Sequence, residues 1–139
     1  MGQIDNVLYT GRTHTIAGRD GSARSDDGRL DVKLSRPGSQ APGTNPEQLF
    51  AAGWSACFLG AMGRAAQNMN VKLPPDASID AEVDLGTGAD EFFLQARLRV
   101  SVPGLDRATV QALADAAHQI CPYSKATRGN ISVQIAVAA

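Results

Sequence analysis

The stretch NPEQLFAAGWSACFLGAMGRAAQ, residues 45–67, is a helix-length apolar run with a cysteine, Cys57, near its middle. Its start signals are complete. Asn45 is a good N-cap, Pro46 suits the first helical position because its missing N–H has no partner there, and Gln48 completes a capping-box spacing. A helix is therefore predicted to begin at residue 45 or 46. Leu49, Phe50, Ala52, Ala56, Phe58, Leu59, Ala61 and Met62 leave no broad polar face, the pattern of a helix enclosed on most sides. Ala51, Ala52, Gly53, Ser55, Ala56, Gly60 and Ala61 are small enough for another backbone to approach, so a second helix or a partner subunit is expected against them. Glu47, Gln48, Arg64 and Gln67 interrupt the run, and its apolar part falls short of the roughly 20 residues that span a bilayer.

Outward from this helix, the strand signals alternate. Upstream, residues 7–16 form a strand-like run, GRDG at 18–21 supplies a tight turn carrying Arg19, residues 22–25 are a candidate short strand, and Leu30, Val32 and Leu34 alternate with polar residues. Residues 36–44, RPGSQAPGT, are the longest Pro/Gly/Ser-rich connection. Downstream, Ile79, Ala81, Val83 and Leu85 alternate, residues 86–90 form a turn, and Phe92, Leu94, Ala96, Leu98, Val100 and Val102 alternate again, predicting a hairpin with one face on the helix. Asp106 is a cap for a second helix lined by Val110, Leu113, Ala114, Ala117, His118, Ile120 and Cys121, which Pro122 terminates. Ile131, Val133, Ile135 and Val137 form a last strand. Segregated strands and helices argue an α+β fold, an antiparallel sheet wrapped around apolar helices.

The 139 residues fit one domain, 1–139. Thirteen basic against fourteen acidic residues, net charge −1 and without long runs, give no footprint for nucleic acid or anionic membrane. The N-terminus lacks a basic cluster followed by an apolar run, so no signal peptide is expected and the cytoplasm is the predicted location. In a reducing compartment two cysteines are reactive or buried before they are a structural staple.

Cys57 lies too far into its helix for the positive dipole end to lower its pKa, and apolar neighbours raise it. As a nucleophile it must borrow a positive charge; otherwise it is a small buried hydrophobe. Arg19, on a glycine-flanked turn, is the candidate donor, with a solvated turn arginine as the bland alternative. Lowering a thiol from about 8.5 to about 6 needs roughly 3.4 kcal/mol, and one ion pair at about 4 Å with an effective dielectric near 20 supplies about 4 kcal/mol. Glu47 can hold that guanidinium through a bidentate carboxylate, or serve only the helix dipole. It stands about 15 Å from Cys57 along a straight helix. A long arginine must span the gap, the helix must bend near Gly53, or Glu47 and Arg19 must come from a partner chain. Cys121, at a helix C-terminus, suits a thiol that attacks an already oxidised sulfur, or a core residue. His118 and Cys121 form an HxxC pair, but with His14 and Cys57 as the only other soft ligands and no CxxC spacing, a structural histidine is expected before a zinc ligand.

The segments GRDG, NPEQLFAAGWSACF and CPYSKATRGN, in this order and at these separations, resemble the organic hydroperoxide resistance proteins, a branch of the OsmC-like superfamily, over nearly the whole chain. The resemblance implies that Cys57 is the peroxidatic cysteine, Cys121 the resolving cysteine, Arg19 the thiolate-stabilising arginine and Glu47 its carboxylate partner. It also implies an intertwined homodimer with two active sites at the subunit interface. The implied activity is reduction of organic hydroperoxides, with no bound cofactor and with dihydrolipoamide or a lipoylated protein, rather than thioredoxin, as reductant. Lys125 departs from the asparagine expected after CPYS and bears on local packing or reductant docking. The alternatives are an OsmC-type peroxidase with a different peroxide preference and a non-catalytic, ligand-binding stress protein. For the peroxidase, Phe50, Phe58 or Met62, with Phe92 or Phe93, are expected to receive the alkyl or aryl tail.

Overall fold

The computed structural model describes residues 2–138, in two compact units, Met1–Pro46 and Glu47–Ala139. In the first, β1 (Thr13–Ile16), β2 (Ser22–Ser25) and β3 (Asp31–Lys33) form an antiparallel meander in the order β1-β2-β3. Thr13 faces Ser25, and Ala23 faces both Thr15 and Val32. The GRDG segment between β1 and β2 is a 3₁₀ turn, Gly18–Asp20. Gly18 has φ 58°, and a Cβ on Gly21 would meet the Ile16 carbonyl oxygen at 1.8 Å, so both ends of this turn demand glycine. Arg36 forms an ion pair with Asp20 at 2.8 Å, and Leu34 bridges Thr44, which ties the 36–44 connection back to the meander.

The first strand is shorter than its composition suggests. Residues 7–11 lie outside β1, and Val7, Leu8 and Tyr9 are 66, 91 and 80% exposed. Strand propensity is a preference for a pleated, half-buried surface, and it does not produce a strand where none of the described residues supplies a neighbouring edge.

The second unit holds the core. Helix α1 (Pro46–Asn68) begins at the predicted proline. Strands β4 (Ser78–Gly88) and β5 (Glu91–Ser101) form the expected antiparallel hairpin, with Ser78 opposite Ser101 and Gly88 opposite Glu91. The turn is tighter than the five residues predicted. Only Ala89 and Asp90 lie between the strands, both at positive φ (48° and 65°), the left-handed pair that matches the twist of a two-residue hairpin. Asp106 caps α2 (Arg107–Ile120) by accepting from the Thr109 N–H at 3.1 Å.

Two features differ from expectation. Pro122 ends α2 but also starts a third helix, α3 (Pro122–Thr127), with Cys121 as the hinge residue between them. A proline that cannot continue one helix is well suited to the first position of the next. The last strand, β6 (Ser132–Val137), pairs parallel with β5, from Gln95 opposite Ser132 to Val100 opposite Val137, so this sheet, in the order β4-β5-β6, is mixed. Crossing over through α2 and α3 returns the chain in the same direction, as parallel pairing requires. The fold remains α+β.

The core joins Ala96, Leu98 and Val100 of β5, Val110, Leu113, Ala114 and Ala117 of α2, and Trp54, Phe58, Ala61, Met62, Ala65 and Ala66 of α1. Complete burial of each large side chain contributes about 1.5–3 kcal/mol. Helix α1 is not enclosed on most sides within the chain: Ala52, Ala56 and Gly60, four residues apart, are exposed, while Gly53 meets Tyr123 of α3, whose Oη would lie 3.4 Å from a Cβ at that position.

Candidate active site

The two cysteines, sixty-four positions apart, meet. The Cys121 thiol donates to Cys57 Sγ at 3.3 Å, and both sulfurs are free thiols. Cys57 is half-buried on α1; Cys121 is wholly buried at the α2–α3 junction. Helical spacing explains the meeting: Phe50, Gly53, Trp54, Cys57 and Phe58 lie on one face of α1, and that face receives the junction. Phe50 packs edge-on to Tyr123 with ring centroids 6.4 Å apart and lies 5.6 Å from Trp54; Phe58 lies 6.4 Å from the His118 ring. Trp54 Nε1 donates to Ser124 Oγ at 3.2 Å.

This environment acts on the nucleophile in opposing directions. Burial pushes the Cys57 thiol up from its ordinary value, the backbone N–H of Tyr123 pulls it down, and the Cys121 thiol adds to the upward shift. Desolvation disfavours the charged sulfur, as the apolar sequence around it implied. The third helix alters the reading of Cys121, which lies not only at the negative end of α2 but also at the start of α3, whose Tyr123 N–H reaches the Cys57 sulfur.

Arg19 lies in the 3₁₀ turn of the first unit and Glu47 in the first turn of α1, both half-buried. Helix α1 runs without interruption through Gly53, leaving about 15 Å of helix between Glu47 and Cys57. Of the apolar residues expected around a substrate tail, Phe58 and Met62 are fully buried and belong to the core, whereas Phe92 and Phe93 are 77 and 55% exposed beside the hairpin turn. Phe50, half-buried, packs against Trp54 and Tyr123. Lys125 is exposed and its backbone N–H bonds the Cys121 carbonyl at 3.0 Å, so the residue type there leaves this helix start intact.

His118 is half-buried on α2. Its backbone carbonyl accepts from Arg128 Nη2 at 2.7 Å, its buried Nδ1 has no hydrogen-bond partner among the described residues, and burial followed by the nearby Arg128 charge holds its pKa below the ordinary histidine value. Among the described residues no group of three or more His, Cys, Asp or Glu side chains is placed to hold a metal, and no helix is long and apolar enough to cross a membrane. Trp54, Tyr123 and Ser124 join α1 to α3 next to the cysteines, a connection that sequence reasoning passed over. The available signal was their spacing, Trp54 three residues before one cysteine and Ser124 three after the other.

The family pattern described as OsmC-like protein matches residues 37–136. The organic hydroperoxide resistance protein of Xanthomonas axonopodis pv. citri is 49% identical over 142 aligned positions, covering 99% of this chain and all of that protein. The crystal structure of OhrB, the organic hydroperoxide resistance protein of Bacillus subtilis, superposes with a TM-score of 0.89 at 41% identity, covering 95% of this chain and all of that one. A Vibrio cholerae structure described as a putative organic hydroperoxide resistance protein with captopril bound in one of its active sites gives a TM-score of 0.89 at 37% identity, covering 97% of this chain and 95% of that one. With its pattern, its relatives and its fold in agreement over almost its full length, the chain belongs to the OsmC-like family, in the branch of the organic hydroperoxide resistance proteins.

Proposed function

We propose that the protein is a cysteine-based peroxidase that reduces organic hydroperoxides to alcohols, acting as a single 139-residue domain in the cytoplasm. The observation that carries this reading is the 3.3 Å separation of the Cys57 and Cys121 sulfurs. The Cys57 thiolate attacks the distal oxygen of R–O–OH; an S–O bond forms, the O–O bond breaks, and the departing alkoxide takes up a proton as the alcohol. The Cys121 sulfur then attacks the sulfenic acid, forming the disulfide and releasing water. A dihydrolipoyl dithiol, free or on a lipoylated protein, reduces that disulfide by two exchange steps and leaves as its own cyclic disulfide.

Burial holds the Cys57 thiol up, so the thiolate needs a cation. Arg19 supplies it and Glu47 orients the guanidinium in this reading, with a bidentate carboxylate pairing as the physical basis. The protein works as an intertwined homodimer with two sites at the subunit interface. The exposed Ala52, Ala56 and Gly60 face of α1 and the exposed Val7, Leu8 and Tyr9 favour such a partner, because an apolar surface of this kind is stabilised by being covered.

The test is non-reducing mass analysis after one equivalent of cumene hydroperoxide. A two-hydrogen loss linking the Cys57 and Cys121 peptides is expected, and an unmodified dithiol would indicate a ligand-binding protein instead. Turnover of cumene hydroperoxide against hydrogen peroxide, each with dihydrolipoamide or thioredoxin, checks substrate and reductant. A preference for hydrogen peroxide and thioredoxin excludes both assignments.

A further inference from the structure

Trp54 and Ser124 stand one helical turn from the two sulfurs, Trp54 before Cys57 on α1 and Ser124 after Cys121 on α3. Their hydrogen bond, 3.2 Å from Nε1 to Oγ, is buried at both ends, with Trp54 1% and Ser124 0% exposed. Helix α3 has only six residues, too few to be stable alone, so packing sets its position. Cys121 is tied to the helix ends on both sides: its N–H bonds the Ala117 carbonyl at 2.8 Å and its carbonyl accepts from the Lys125 N–H at 3.0 Å. Its sulfur therefore approaches or leaves Cys57 only by side-chain rotation or by movement of the α2–α3 junction as a body.

The apolar contacts in this seat, Phe50 and Gly53 against Tyr123, resist separation but are not directional. The Trp54–Ser124 bond is directional. Sliding α3 leaves a buried indole N–H without an acceptor, which costs the full desolvation of that group.

We propose that Trp54 and Ser124 are a positioning pair for the disulfide-forming step, holding Cys121 Sγ where it captures oxidised Cys57 before a second peroxide does. The inference rests on Cys57 being the sulfur that peroxide oxidises. Two reactions then compete for Cys57–SOH. In one, Cys121–SH forms the S–S bond, the S–OH bond breaks, and the hydroxyl leaves with the thiol proton as water. In the other, the sulfenate sulfur attacks a second R–O–OH, gains an oxygen to become sulfinic acid, and releases R–OH. Held 3.3 Å from its target, the thiol wins; displaced, it loses ground to the peroxide.

The experiment compares the wild type, Ser124→Ala and the double variant Trp54→Phe/Ser124→Ala by rapid quench and intact-mass analysis under excess cumene hydroperoxide, with urea unfolding measured on each. Ser124→Ala is expected to leave the first oxidation of Cys57 within about twofold of wild type while slowing disulfide formation by about tenfold or more, since misplacement by about 1 Å costs up to about a hundredfold. Sulfinic acid, a gain of two oxygens, accumulates accordingly. The double variant removes both polar partners and so recovers stability, because no buried group is left unpaired. Its disulfide rate is expected to stay slow. A wild-type disulfide rate in both variants, or a rate that recovers together with stability in the double variant, overturns the positioning role. Absence of any disulfide in the wild type overturns the peroxidase reading itself, and the pair's role with it.

Discussion

The two sides of the β4-β5-β6 sheet are built by different physics. On the inner side Ala96, Leu98 and Val100 meet the helices that carry the sulfurs, and nearly every atom is withdrawn from water. On the outer side Arg97 spans Asp84 and Glu82, with Nη1–Oδ2 at 2.8 Å and Nε–Oε1 at 3.1 Å, and Gln95 donates to Asp84 at 2.6 Å. Both sides look well connected, but water screens the outer one and is excluded from the inner one. An exposed ion pair is worth little, whereas a buried cavity or an unpaired buried group has nothing to compensate it. Substitutions around the sulfurs should therefore matter far more than equally drastic ones on the charged face.

The largest effect is expected at the sulfurs themselves. Cys57→Ser should abolish peroxide consumption, and Cys121→Ser should permit one turnover and then stall with Cys57 oxidised, both read by peroxide assay and intact mass. A Cys57→Ser variant with full turnover would falsify the proposed chemistry. Next, Phe58→Ala should cost about 3–5 kcal/mol in urea unfolding, as for a fully buried aromatic residue. A loss under about 1 kcal/mol would erase the contrast between the two sides of the sheet.

Arg19→Ala should move the alkylation profile of Cys57 to higher pH, because the thiolate loses the cation proposed to stabilise it. An unshifted iodoacetamide profile removes the arginine from the mechanism. The smallest effect belongs to the charged face. The Arg97 and Gln95 hydrogen bonds hold the Asp84 carboxyl at about 2, below its ordinary 3.8. Because the folded value is the lower one, its contribution is present above about pH 4 and fades as pH falls through about 2. Asp84→Asn should thus leave unfolding at pH 7 close to wild type and flatten its acid dependence between about pH 4 and 2. A large loss at pH 7 would mean the outer face is less screened than its exposure implies.

Local rules reached a long way into this chain. The start of α1 at Pro46 follows from a residue that fits the first turn and little else, and the faces of β4 and β5 follow from strict alternation. The cap at Asp106 and the end of α2 at Pro122 are likewise choices made by one or two neighbouring residues. The site was legible in part: both cysteines stood out, and the rise in the Cys57 pKa followed from its neighbours. Trp54 and Ser124 did not stand out, because a tryptophan in an apolar helix and a serine after a proline are ordinary until they are seen to bond.

By itself, then, the sequence determined where α1 and α2 begin, how the side chains of β4 and β5 alternate, and which residues have the chemistry to react with a peroxide. Only the tertiary structure decided that β6 runs parallel to β5, that a third helix follows Cys121, that residues 7–11 stay out of the meander, and that two sulfurs sixty-four positions apart lie 3.3 Å from each other. The reason is range. Capping, turns and alternation act over a few residues and are written in consecutive letters. The direction of a pairing strand and the meeting of two helix faces depend on which packing withdraws the most apolar surface from water, a property of the whole chain.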